Sequence, residues 1–287
     1  MSNKENKKRE KVLGQSRNGQ IRAEGKAPDT ILKTRLAKVF HPRTLGLVSV
    51  IIVWQIASLI SPEDTLASPY LVFRALILEV ILRERFFLHV GATLSRILAG
   101  FGIAFSVGMC VGVLMGTMKY WERFFSDFVT VGLTIPSLTG AVIGVLWLGI
   151  KPLTPAFSVV LIATPYVAVN IWQGVKHVDK DLVDMSRAFD VSKRRIIRHI
   201  YIPSLLPFVF AALRLGFSVS WKLVVLAEVF GSNEGIGYMI FYWFQMFNMQ
   251  LVLAWVIVFA LIMFYLEYGI IRRLERRFLG WRPRAIL

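Results

Sequence analysis

The chain of 287 residues has one cysteine, Cys110, and four histidines, at positions 41, 89, 177 and 199. A single cysteine excludes a disulfide framework within the chain. Histidines so dispersed give no metal-ligand spacing. Neither H-E-x-x-H nor G-x-x-x-x-G-K-[ST] occurs, so the chain has no zincin motif and no phosphate loop with which to cradle ATP. No paired nucleophile and base is visible, which argues against a membrane-embedded enzyme. Acids are also scarce: 18 Asp and Glu stand against 34 Lys and Arg, a formal charge of +16. In a soluble chain that excess would point to nucleic acid. Nucleic acid is set aside here because of what the sequence has in abundance, which is long apolar runs.

Hydrophobic residues make up 55% of the chain, above the roughly 45–50% of soluble domains. Residues 97–118 and 124–150 hold almost no charge over bilayer length. The pattern predicts an all-α polytopic membrane protein with about six transmembrane helices, near 44–61, 89–117, 124–149, 153–175, 204–230 and 250–271. Basic residues mark the cytoplasmic side. With the N-terminus inside, the cytoplasmic segments are 1–43, 118–123, 176–203 and 272–287. They hold 12, 2, 7 and 6 Lys and Arg residues, 27 of the 34. Both termini are therefore expected in the cytoplasm. The chain divides into a basic N-terminal tail (1–43, disordered over 1–30), a first span with an outer interfacial helix over 70–82 (44–88), a membrane core (89–271) and a basic C-terminal tail (272–287). The tail lacks the apolar core of a signal peptide.

Three features of the spans carry information. Gly100, Ala104, Gly108, Gly112 and Gly116 recur every four residues, which puts small residues on one helical stripe and lets another helix approach closely. Pro136 lies in the middle of the third span, where it removes a backbone hydrogen bond. A helix interrupted at mid-depth points to a transport path, so Thr134, Pro136 and Ser137 are path candidates. The fifth span holds Arg214, Lys222 and Glu228. Charges inside a span are costly and suggest pairing or function. Arg214 and Glu228 are about 21 Å apart along a helix and cannot pair within it. Glu228 either anchors the outer loop or touches solute, and it joins the neighbouring Trp221 among the path candidates.

Residues 177–203 are neither spanning nor freely soluble. Val183, Phe189, Ile196, Ile197 and Ile200 stand among Asp, Lys and Arg. This pattern suits one or two short helices lying along the membrane, docked on another protein or resting on anionic lipid through Lys193, Arg194 and Arg195.

The stretch "DMSRAFDVSKRRIIRHIYIP" resembles the cytoplasmic motif of inner-membrane permeases of ABC importers, E-A-A-x-x-x-G, nine residues, then I-x-L-P. Asp184 stands at the Glu, Met185 and Ser186 at the two Ala, Asp190 at the Gly, Ile200 at the Ile, Ile202 at the Leu and Pro203 at the Pro. Asp190 is the largest departure, since the Gly normally makes a turn between two short helices. Asp tolerates the left-handed conformation that the turn needs. The resemblance extends from about residue 68 to 282. It includes Arg96 with the glycine series, "TIPSLTGAVIGVLWLGI", and Glu228 followed by Gly235-Ile236-Gly237-Tyr238. The set is similar to the branch that imports alkanesulfonates, taurine, nitrate, bicarbonate or thiamine precursors.

The resemblance implies a type I importer permease, usually a homodimer, that does no covalent chemistry and binds no cofactor. ATP and Mg would be held by cytoplasmic ABC ATPase subunits. Residues 184–203, Phe189 among them, would couple those subunits to the spans. An extracytoplasmic solute-binding protein would deliver solute near 62–88 and 231–249. A secondary transporter or channel working without an ATPase is the alternative. It would lean on Glu228 and Asp127.

Overall fold

The computed structural model describes residues 42–62, 65–82 and 85–279, and every regular element among them is helical. The N-terminal tail over 1–30 and the C-terminal end beyond Leu279 lie outside the described residues. Helix α1 (Pro42–Ile60) falls in the first of two units, which ends at Ile60. The remaining elements form a second unit. It comprises α2 (Pro69–Ala75, continued by a wider π turn over Leu76–Ile81), α3 (Phe86–Thr117), α4 (Lys119–Thr134), α5 (Ser137–Leu148), α6 (Thr154–Lys176), α7 (Lys180–Ala188), α8 (Lys193–Gly231), α9 (Ile236–Gln245) and α10 (Met249–Leu279).

Among the described residues, α3, α6, α8 and α10 are each long and apolar enough to cross a membrane, and α4 with α5 makes a fifth candidate if the pair is one span. That is four to five spans where the sequence pattern predicts six. The difference is α1: its stretch Thr44–Ile60 is about 26 Å long at 1.5 Å per residue, a little short of a bilayer core of about 30 Å. The helix expected over 70–82 is present as α2. It buries Val72, Ala75, Leu76 and Val80 and packs on α10.

The third expected span, read as interrupted at Pro136, is two helices, α4 and α5, bent by 103°. The cause is local. A residue before proline is pushed out of the helical region, and Ile135 is extended at ψ 122°. Pro136 is itself extended at ψ 141°, so the helix ends and restarts at Ser137. At α8 the outcome is opposite. The second cytoplasmic helix and the fifth span, expected as separate elements, form one helix of 39 residues. Pro203 and Pro207 sit within it. A π turn over Ile197–Tyr201 precedes them and widens the backbone where the Pro203 ring would strike a carbonyl.

α6 is the hub. Val159, Ile162, Ala163, Val167, Ala168 and Ile171 are essentially inaccessible. They face α3 and α8, its two most extensive neighbours. One apolar cluster joins Ile97 and Ala104 of α3, Ala141 of α5, Val159 and Ile162 of α6, Leu223 and Val224 of α8, and Met263 of α10. The glycine stripe of α3 is what admits α6. A Cβ on Gly100 would lie 2.7 Å from the Ala156 carbonyl oxygen, one on Gly112 2.6 Å from that of Ala168, and on Gly108 and Gly116 it would meet Val167 and Val175. Ala104 is wholly buried on the same stripe. Buried hydroxyls of α6 and α8 return to their own backbone, as Ser158 Oγ does to Thr154 O at 3.1 Å and Ser220 Oγ to Gly216 O at 2.6 Å, so they stay satisfied where water is excluded.

Candidate functional site

The chemistry-bearing side chains collect at the two ends of the helical bundle. At the end opposite α7, Glu228 on α8 is completely buried. Arg96 Nη1 on α3 donates to Glu228 Oε1 at 2.8 Å and to the Glu234 carbonyl at 2.7 Å. Arg96 Nε donates to the Pro152 carbonyl at 2.9 Å. Thr93 Oγ1 lies 2.9 Å from each carboxylate oxygen and accepts the Ile236 N–H at 2.8 Å. The Gly237 N–H donates to Glu228 Oε2 at 2.9 Å. The Gly235 N–H donates to His89 Nδ1 at 3.2 Å.

This arrangement answers two needs at once. The first N–H groups of α9 have no partner inside their own helix, and Thr93 and Glu228 supply them from α3 and α8. The buried carboxylate is matched by a guanidinium and by the positive end of α9. Gly235 is obligatory here. Its φ is +118°, and a Cβ would fall within 2.4 Å of the Glu228 carboxylate. A Cβ on Gly237 would lie 2.2 Å from the Val225 carbonyl oxygen. The network thus rivets α3, α8, α9 and the turn before α6 into one rigid corner. His89 stacks on Tyr238 and meets Trp255 edge-on. A cavity of about 780 Å³ opens beside it, lined by Arg85, His89, Glu234, Tyr238, Tyr242 and Trp255 among others.

At the other end, α7 begins on Asp179, whose Oδ1 accepts the Asp181 N–H at 2.9 Å. It ends in a Schellman motif: the Val191 N–H reaches the Ser186 carbonyl and the Asp190 N–H the Arg187 carbonyl, both at 3.0 Å. That motif needs a left-handed residue at its corner, and Asp190 has φ +52°. At about 100° per residue, Leu182, Met185 and Phe189 fall on one stripe. All three are exposed, Phe189 to 78%. Asp184 is exposed and pairs only with Arg187, at 3.3 Å. Ser186 Oγ donates back to the Leu182 carbonyl at 2.8 Å. The opposite side of α7 is anchored: Val183 packs with Val178 and Ile196, and Ile200 covers that cluster. Pro203 is half-buried, close to the start of the membrane-length part of α8.

The path candidates do not assemble into one place. Thr134, Pro136 and Ser137 are exposed at the α4–α5 break. Trp221 packs on Phe259 with ring centroids 4.9 Å apart, and its indole Nε1 is buried without a hydrogen-bond partner among the described residues. Glu228 bonds to α3 and α9 instead. Arg214 pairs with Glu275 on the last turns of α10, and Lys176 with Glu122. Thr93 and His89 were missed by the sequence reading, and Arg96 entered it only through resemblance. The charge rule that flagged Glu228 applies equally to Arg96, an isolated cation in an apolar helix. Thr93 gives no such signal.

Residues 108–279 match the family described as binding-protein-dependent transport system inner membrane components. The chain belongs to that family, and it is an ABC transporter permease component rather than an ATPase. It is 28% identical to the taurine transport system permease protein TauC of Escherichia coli over 67% of this chain and 70% of that one. It is 27% identical to the nitrate import permease protein NrtB of Synechococcus elongatus, over 73% and 78% of the two chains. A chain of the MetNI methionine ABC transporter, solved in an inward-facing conformation, shares the fold with a TM-score of 0.58 at 19% identity, over 73% of this chain and 97% of that one. The family is one of multi-pass inner membrane proteins working with ATPase and binding-protein partners.

Proposed function

We propose that this permease imports a small anionic or organic solute, of the sulfonate, nitrate, bicarbonate or heterocycle class, by alternating access between two conformations biased by ATP binding to separate subunits. The observation that carries the reading is the α7 stripe. Three large apolar side chains project from a helix whose ends are capped and whose other face is anchored. An exposed, rigid, apolar helix face is what a groove in a partner recognises. Asp184, Met185, Ser186, Phe189, Asp190, Ile200 and Pro203 form or support this coupling element. Because α8 is continuous from Lys193 to Gly231, a push on α7 and the start of α8 reaches the spans without a flexible joint.

In this reading α1 is a sixth span, both termini are cytoplasmic, and two copies of the chain enclose the path. The α4–α5 break with Thr134, Pro136 and Ser137, and the unpartnered Trp221 N–H, are the groups offered to a solute. Glu228 acts on the path indirectly, by holding α9. The segments flanking the 780 Å³ cavity are those where the binding protein is expected to deliver. The taurine and nitrate relatives support a small anion as cargo.

The test is a mild-detergent purification of the tagged full chain from its own host, with the co-purifying proteins sequenced. A P-loop ATPase should be recovered and should be lost from the Phe189→Asp variant. A folded chain that repeatedly purifies alone would favour transport without an ATPase.

A further inference from the structure

A cavity of about 870 Å³ lies behind the coupling element. It is distinct from the α7 stripe. Arg187, which lines it, lies roughly 140–160° around the helix from Leu182, Met185 and Phe189. Its floor is aliphatic: Val113 at the end of α3, Val175 at the end of α6, and Ile196, Ile197, Ile202 and Leu205 along α8. Its rim is polar and basic, with Arg187, Lys193, Ser192, Tyr201 and Thr117. Asp190 also lines it, and Asp184 takes one bond from Arg187 at 3.3 Å. Arg187 and Lys193 thus face Asp190 on the rim with Asp184 beside it, and Arg194, Arg195 and Arg198 on the adjoining turns of α8 leave the neighbourhood basic. The cavity lies where the basic first turns of α8 give way to its apolar, membrane-length part.

We propose that this cavity binds a membrane phospholipid with an anionic headgroup, such as phosphatidylglycerol. Its phosphate lies at Arg187 and Lys193, with Ser192 and Tyr201 as hydroxyl donors, and an acyl chain lies along Val113, Val175, Ile197 and Leu205. The charge complementarity selects an anion. The aliphatic floor selects one that carries a hydrocarbon chain over a free phosphate. The lipid would fill the space between the Asp190 corner and the ends of α3 and α6, bracing the element that moves. This role does not depend on which solute is carried.

The test uses the full chain in nanodiscs of equal phosphatidylglycerol and phosphatidylcholine with matched acyl chains. Lipids retained on release into the gas phase are then counted by native mass spectrometry. One phosphatidylglycerol per chain is expected to persist, in preference to phosphatidylcholine. Arg187→Gln with Lys193→Gln should weaken retention about tenfold or more. Val113→Phe keeps both cations and fills the floor, and it should also expel the lipid. Lys193→Arg should retain it. Unchanged thermal unfolding midpoints establish that the variants are folded. Equal retention of the two lipids, or retention by both disruptive variants, would overturn the proposal. So would displacement of the lipid by inorganic phosphate at millimolar concentration, which would make the site one for a soluble anion.

Discussion

At one end of the bundle Arg96 and Glu228 are buried, and each carboxylate oxygen has a donor. At the other, Phe189, Met185 and Leu182 are apolar and stand in the open. The two ends invert the usual placement of charge inside and hydrocarbon outside. The buried pair is tolerable because the guanidinium, the Thr93 hydroxyl and the α9 N–H groups replace what water would supply. The exposed stripe serves no fold, since α7 is anchored through Val183 on its other side. One end is complete within the chain; the other leaves an apolar stripe exposed.

Breaking the first end should have the largest effect on stability. Arg96→Met leaves a buried carboxylate unpaired and should cost about 3–5 kcal/mol, read as a fall in unfolding temperature and in membrane abundance. Combining it with Glu228→Met should recover much of the loss, because no charge is then stranded. If the double variant is no better than the single, the ion pair is not the source of the cost. Thr93→Val removes the hydroxyl that joins Glu228 to the Ile236 N–H. It should cost about 1–3 kcal/mol, measured by the same thermal assay.

Changes at the second end should separate function from stability. Asp190→Gly relieves a left-handed side chain and should raise stability by about 0.5–1 kcal/mol. A fall instead would mean that the Asp190 carboxylate holds the corner in place. Phe189→Asp should move stability by no more than about 0.5 kcal/mol yet abolish solute uptake at normal abundance. Normal uptake by that variant would remove the stripe from the mechanism and erase the contrast between the two ends.

Much of this was legible in the residues. The apolar runs located α3, α6, α8 and α10, and the four-residue glycine spacing marked the face of α3 that α6 occupies. The resemblance to the permease motif placed Asp190 at a turn, and its φ of +52° fits that position. Pro136 was read as interrupting the third span, and the structure shows how: Ile135 is driven extended as well, and two consecutive extended residues end a helix. Pro203 and Pro207 do not break α8, because the π turn before them lets the helix continue. A proline signal is local; whether the chain breaks or widens depends on the packing around it.

The sequence by itself determined the helical membrane class, the location of the basic segments and the amphipathic stretch of α7, because hydropathy, charge and local spacing are properties of neighbouring residues. Only the tertiary structure decided the partners of Glu228. Arg96 lies 132 residues away and Thr93 135, and no periodicity links positions that meet only when α3, α8 and α9 pack. A lone acid in an apolar helix announces that it must have a partner. Which cation comes within 2.8 Å follows from the glycines that let the helices close and from the exclusion of water around them.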